Sequence, residues 1–528
     1  MFSLPSSSTA FGCLALLLVF GHSAPRAQAA VRLHPTFTDH AVLQRGQRVP
    51  VWGTAGDGEE VTVEFAGHRR RTVARKGHWM IELPSLRASA KGAPLRVSGP
   101  SNSVTVEDVV VGEVWICSGQ SNMEWPLRAS YEPEQDIANS ANPNLRLFTV
   151  TKRRSPEVLS DLDYAAHAWA VASPDVARSF SAVGYYFGRA LEASLRGPGV
   201  PVGVIHTSWG GSPAEVWMRS DVLSGDREYA SDILAPAGES LAKWEKAVAD
   251  WEARKAAATA KSEDFRENRP GQPWRPSELY NGMLANLIPY GIRGAIWYQG
   301  ESNAGRAWQY RRLYADMIRN WRQDWGQGDF WFFGVQLAPW DRNRKRDLSV
   351  IGAEIGDSNW AELREAQNHV AETLRRVDVA VITDVGDKDD IHPTRKEPVG
   401  DRLARLALAE VYGQRLPAHG PRLRSSRVRG SEIVLRFRDA GGGLRSQNGA
   451  ALTGFTLAGA DRKFQAAEAR ITGPDEVTVS ATGVSQPVAV RYGWADFPIL
   501  NLCNDAQLPA SPFRTDTWPV TTQPAASR

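Results

Sequence analysis

Five short apolar runs, at 109–117, 202–207, 294–298, 331–337 and 377–383, alternate with segments of helical spacing through the middle of this chain. Tyr310, Leu313, Tyr314, Met317, Ile318 and Trp321, for example, recur every three or four residues and would form one apolar helix face. Strand and helix in alternation predict an α/β fold with a parallel sheet. Such a sheet puts all its carboxyl ends on one edge, the edge where open α/β folds bind ligands. The segment 239–261, rich in Ala, Lys and Glu, reads as a solvated amphipathic helix with no catalytic role.

The flanks have a different period. From 31 to 106 apolar and polar residues alternate in short runs such as Val61-Thr62-Val63-Glu64-Phe65, and alternation returns after about Gly413, as in Ile433-Val434-Leu435-Arg436-Phe437. Both regions predict β-sandwiches. Phe11 to Phe20 is an apolar run followed by the small-x-small site Ala27-Gln28-Ala29, which reads as a secretory signal peptide too short to span a membrane. The expected organisation is a signal peptide at 1–29, an N-terminal β-sandwich at 30–107, an α/β domain at 108–413, a C-terminal β-sandwich at 414–518 and a disordered tail at 519–528.

Cys13 lies within the signal core, leaving Cys117 and Cys503, which are read as free structural thiols. Export with little disulfide use suits a periplasmic or secreted protein. The 62 basic and 59 acidic side chains nearly balance, giving no field for nucleic acid or an anionic membrane. Nineteen tryptophans suit a carbohydrate ligand, since indole faces stack on sugar rings as readily as they fill cores.

Each informative polar cluster follows a predicted strand: Ser121; Trp209-Gly210-Gly211-Ser212; Gln299-Gly300-Glu301-Ser302-Asn303; and Asp387-Lys388-Asp389-Asp390-Ile391-His392-Pro393. Taken singly, these are ordinary turns and a surface histidine. On successive strand ends they are the parts acyl transfer needs: a hydroxyl, a base within reach of it, and donors for the oxyanion. Ser121 is the expected nucleophile, His392 the base and then acid, and a neighbouring aspartate the orienter of the imidazole. The donors would be the Ser121 amide, a backbone amide at Gly210 or Gly211, and the side-chain amide of Gln299 or Asn303. The run from Asp384 to Asp390 lacks the glycine and glutamate of an EF-hand, so at most a structural ion is allowed there. No His-Glu-x-x-His, Walker loop or Gly-x-Gly-x-x-Gly occurs, and no metal ligand or cofactor is assigned.

The strings VGEVWICSGQSNMEWPL, SWGGSPAEVW, WYQGESN and DDIHP resemble those of sialate O-acetylesterases and their bacterial carbohydrate-esterase relatives in the SGNH hydrolase superfamily. HPTFTDHAVLQR near the start, and GGGLRS, LTGFTLAGADRKF, VAVRYGWADFP and LPASPFRTD near the end, extend the resemblance over nearly the whole mature chain. It implies a flavodoxin-like catalytic domain between β-sandwich parts, an acetylated sugar or glycan as substrate, and metal-independent removal of O-acetyl groups. The residues carried over are Ser121 and His392, with Gly210 and then Gly211 for the glycine block. The Asp-x-x-His pattern selects Asp389, with Asp390, Asp387 or a bare Ser-His dyad as alternatives. The asparagine block is replaced by Gln-Gly-Glu-Ser-Asn, so Gln299 or Asn303 completes the oxyanion hole, Gln299 being preferred. An acetylated xylan or pectin is the alternative substrate, and a catalytically inert carbohydrate-binding protein the alternative class. A sialic-acid carboxylate would call for a cation, for which Arg364 is one candidate.

Overall fold

The computed structural model describes residues 1, 30–159, 168–195, 199–343, 345–447 and 449–525. The segment read as a signal peptide lies, apart from Met1, outside the described residues.

Eleven strands make the central sheet. In chain order they are β1 (Val42–Gln44), β2 (Glu60–Phe65), β3 (His68–Val73), β4 (Ser89–Ser98), β5 (Ser103–Gly119), β6 (Asn142–Thr149), β7 (Ala170–Ala172), β8 (Val202–Ser208), β9 (Gly294–Tyr298), β10 (Trp331–Val335) and β11 (Val377–Ala380). The main path runs β7-β6-β8-β5-β9-β10-β11, with every pair parallel except the antiparallel edge pair of β7 and β6. The expected parallel sheet is therefore present within a mixed one. From β5 the chain lays β6 and β8 on one side, then crosses to lay β9, β10 and β11 on the other. The carboxyl end of β5 is thus the point where strand order reverses, the position at which open α/β folds bind ligands.

Five apolar runs expected as strands match β5, β8, β9, β10 and β11. The boundary expected between 107 and 108 is corrected, because it falls inside β5. The first half of this 17-residue strand pairs with β4, while its second half, from Glu113 to Gly119, pairs with β8. The N-terminal strands β1 to β4 therefore join the central sheet, and a separate three-stranded sheet of Arg32–Leu33, Val49–Thr54 and His78–Leu83 lies beside them. The strand continues through Asp108 and Gly112 without a break in pairing, passing from β4 to β8, so one strand serves both regions.

Helices cover both faces. Side chains alternate along a strand, so Trp115 and Cys117 pack with α2 (Ala182–Ser194) and α6 (Glu397–Glu410). Val114 and Ile116 fall on the opposite face, in the core that holds α4 (Ala307–Trp325) and α5 (Asn359–Thr373). Tyr310, Leu313, Met317, Ile318 and Trp321 of α4 are buried, as their spacing predicts. Full burial of side chains of this size is worth about 1.5–3 kcal/mol each. Two further helices bear on the description, the one-turn α1 (Ser121–Glu124) and the long α3 (Ala235–Ala260). Only Val248 of α3 is buried, in keeping with its solvated composition.

Beyond α6 the chain is β-structured. One antiparallel sheet orders Arg422–Arg429, Glu432–Arg438, Glu476–Ser480 and Glu468–Gly473, and another orders Gln465–Ala466, Phe455–Ala458, Ala489–Tyr492 and Phe513–Arg514. Leu435, Val477, Leu457 and Val490 share the core between them. Arg364 of α5 ties this region to the rest, donating to the carbonyls of Leu337, Ala495 and Asp496 at 2.7–2.8 Å. The disordered tail expected at 519–528 is corrected as far as residue 525. Thr521 and Thr522 donate to the Glu362 carboxylate through both amide and hydroxyl, and Val520 is buried with Ala361 and Trp494. A small polar composition does not reveal that a buried carboxylate is waiting for those donors. Among the described residues no helix is long and apolar enough to cross a membrane.

Candidate active site

Gly119, the last residue of β5, has φ +142°, and a Cβ there would stand 2.1 Å from the Tyr298 carbonyl of β9. Only glycine fits so close to a neighbouring backbone. The chain then turns, Gln120 donating its amide to the same carbonyl at 3.0 Å, and α1 begins at Ser121. The hydroxyl is thereby set at the sheet edge, at the switch point.

The loop after β11 brings His392 to it. His392 Nε2 lies 2.9 Å from Ser121 Oγ, across 271 residues of sequence. For Nε2 to accept the hydroxyl proton, the ring proton must sit on Nδ1. Nδ1 faces Asp390 Oδ1 at 3.4 Å, and the same oxygen accepts the His392 amide at 2.9 Å. The Asp390 side chain is 58% exposed. Asp389, the preferred orienter, is corrected: its carboxylate pairs with Lys388 and accepts the Lys345 amide, both at 2.6 Å. These partners hold the Asp389 carboxyl below the usual carboxylate range. Asp387 Oδ1 caps the amides of Asp389 and Asp390, and Asp384 forms a forked pair with Arg402. The four carboxylates of the Asp384–Asp390 run therefore have separate partners. Behind the imidazole, Trp125 stacks on it with centroids 5.4 Å apart and planes at 17°.

The Trp209–Gly211 turn after β8 lies against the nucleophile, since a Cβ on Gly210 would be 3.3 Å from that of Ser121. The Gly210 amide donates to Glu124 Oε2 at 2.6 Å, and Lys152 clasps the other oxygen of that carboxylate. The amides of Ser121 and Gly211 have no acceptor among the described residues. Among the described residues the Ser121 and Gly211 amides are therefore free to donate, while Gly210 is engaged.

Gln299 follows β9 and is fully buried. Its amide nitrogen donates to Ser212 O at 3.3 Å and Asn303 Oδ1 at 2.6 Å, while its oxygen accepts from Tyr310. Both of its hydrogens are spent, so the preference for Gln299 as an oxyanion donor is corrected. Asn303 gives one hydrogen to Glu215 and keeps one. Arg364, considered for a substrate carboxylate, is buried and holds three carbonyls far from that task.

Several residues near the hydroxyl were missed in the sequence: Asn122, Glu124, Trp125, Glu301 and Lys396. The first three lie inside the motif already singled out, and Glu301 inside the Gln299–Asn303 block; only Lys396 lies just beyond a recognised string. Trp209 and Trp274, edge to face at 5.7 Å, flank the glycine turn, with Lys152 and Arg154 over their rings. Cys117 and Cys503 are free and buried, as expected, and burial pushes the Cys117 thiol up to about 12. Asp378, Glu410 and His419 have ligand-like spacing, but Asp378 already takes His419 at 2.6 Å with Arg422 at 3.7 Å.

A serine and an imidazole in contact, with the serine's own amide free and a glycine turn packed against it, form a site suited to ester cleavage. Residues 111–409 match the family model for carbohydrate esterase, sialic acid-specific acetylesterase. The chain belongs to this family. Sialate O-acetylesterases of mouse and human are each 27% identical to this esterase. The mouse alignment covers 77% of this chain and 78% of the mouse protein, and the human one 70% and 69%. A solved carbohydrate acetylesterase from Xanthomonas citri is 37% identical, covers 92% of this chain and 100% of its own, and superposes with a TM-score of 0.77. The esterase is accordingly a carboxylic-ester hydrolase, which sets aside the alternative of an inert binding protein.

Proposed function

We propose that this esterase removes O-acetyl groups from sugars by a Ser121–His392 acyl-enzyme mechanism. The observation that carries the reading is the 2.9 Å contact between Ser121 Oγ and His392 Nε2 at the sheet's switch point. Ser121 Oγ attacks the acetyl carbonyl as Nε2 takes its proton. The oxyanion is held by the Ser121 and Gly211 amides, and Nε2 returns the proton to the departing sugar hydroxyl. Water, deprotonated by the same nitrogen, then attacks acetyl-Ser121, releasing acetate and restoring the hydroxyl. Asp390, exposed and 3.4 Å away, favours the imidazolium only modestly, so the site works nearly as a dyad. The apolar run before Ala27-Gln28-Ala29 supports export, with a glycan outside the cytoplasm as substrate.

The test is acetate release from 9-O-acetylated sialic acid, acetylated xylan and acetylated pectin, with wild type beside Ser121→Ala and with and without chelator. Release that requires Ser121 and ignores chelator is expected, and the preferred substrate names the sugar class. No release from any of the three would overturn the proposal.

A further inference from the structure

Lys396 is 1% exposed, yet no carboxylate among the described residues forms an ion pair with it. Its ammonium donates to Asn122 Oδ1 at 2.5 Å and lies over the rings of Trp125 and Tyr298 at 5.7 and 5.4 Å. At the other end of the same amide, Asn122 Nδ2 donates to Glu301 Oε1 at 2.6 Å and to the Ile391 carbonyl at 3.0 Å. One side chain, adjacent to Ser121, thus spans a buried cation, a buried carboxyl and the residue preceding His392.

The chemistry of the partners fixes which way this amide points. Rotating it by half a turn would set its NH2 against an ammonium and its oxygen against a carboxyl and a carbonyl. Two charge-assisted bonds would be lost, and they are about twice as strong as neutral ones. With the amide so locked, its second hydrogen is aimed at Ile391 O, which anchors the backbone that carries the imidazole. Trp125 adds a second link, since it stacks on His392 from one side with the Lys396 ammonium beside it.

We propose that Lys396 and Glu301, acting through Asn122, are positioning residues that hold His392 against Ser121. The proposal rests on the Ser121–His392 reading. Burial pushes the Lys396 ammonium down to about 7 and the Glu301 carboxyl up, with Asp390 and Glu301 the anions that favour the charged lysine. The lysine therefore sits where ordinary assay pH alters its charge. As pH rises through about 7 the lysine loses its proton, its hold on Asn122 weakens, and the rate should fall with it.

The test compares wild type, Lys396→Met, the isosteric Asn122→Asp, and Ser121→Ala. Each is assayed for p-nitrophenyl acetate hydrolysis across pH and for the rate of phosphorylation by diisopropyl fluorophosphate, which needs an activated serine but no sugar contact. Thermal melting checks folding. Lys396→Met should lower kcat and the labelling rate at least ten-fold with KM within about three-fold, and should lose the alkaline limb near pH 7. Asn122→Asp keeps the volume but cannot donate to Ile391, and should show the same loss of labelling even if Lys396→Met does not fold. Wild-type labelling in a folded Lys396→Met or in Asn122→Asp, with Ser121→Ala unreactive, would overturn the positioning role alone. Labelling and turnover that persist in Ser121→Ala would instead overturn the Ser121–His392 reading on which it rests.

Discussion

The contrast between Asp389 and Asp390 shows how much of the site is decided by single side chains. The two are neighbours in sequence, but Asp389 is turned to Lys388 and Lys345 and Asp390 to His392. Because exposed ion pairs are worth about 0–1 kcal/mol, Asp390→Asn should cost under about ten-fold in kcat/KM. Asp389→Asn should leave the rate within two-fold, and steady-state kinetics on the two variants would check the order. A large loss confined to Asp389→Asn would restore the spacing-based choice. Ser121 and His392 could be paired from the sequence because each lies after a strand in a distinctive string, and the structure sets them in contact. The aspartate was not, since spacing places a residue on a loop without fixing which way its carboxylate turns. Lys396 gives a second residue-scale prediction. Its folded value near 7 lies below its ordinary 10.5, so between these limits the folded protein binds fewer protons than the unfolded chain. Stability contributed at this position is lowest below pH 7 and rises toward pH 10.5. The wild-type melting temperature should therefore gain on that of Lys396→Met as pH rises from 7 to 9.

At the scale of elements, β5 carries both the architecture and the nucleophile. Its alternation seats two helical layers, and Gly119 lets it end against β9 before the turn to Ser121. Gly119→Ala should destabilise the protein by about 2 kcal/mol or more, because the added methyl meets backbone in a strained conformation. It should also reduce turnover, and denaturant unfolding with parallel assays would show both effects. The strands were readable from short apolar runs bounded by turn residues, and α4 from its period. The change of period at 107 does not mark a change of domain, since one strand runs through it. The hydrogen bonds of one long strand can pass through such a change, and pairing between distant strands leaves no local mark in the sequence.

For the whole molecule, the C-terminal sheets and the final residues are fastened to the α/β core by polar groups that composition does not display. Arg364 spans Leu337 and the 495–496 backbone, and Glu362 receives Thr521 and Thr522. Burial pushes the Arg364 guanidinium down to about 10, a cost borne in return for three backbone bonds. Arg364→Met should leave buried carbonyls unpaired at a cost of about 2–4 kcal/mol, lowering the melting temperature with little change in KM. The central claim is that Ser121 is acylated and His392 drives the transfer. Peptide mass spectrometry after acid quench of wild-type turnover with an activated acetyl ester tests it most directly. An acetyl group on the peptide containing Ser121, absent from Ser121→Ala, is the predicted result; an acetyl group on a different residue, or undiminished turnover by Ser121→Ala, would contradict it.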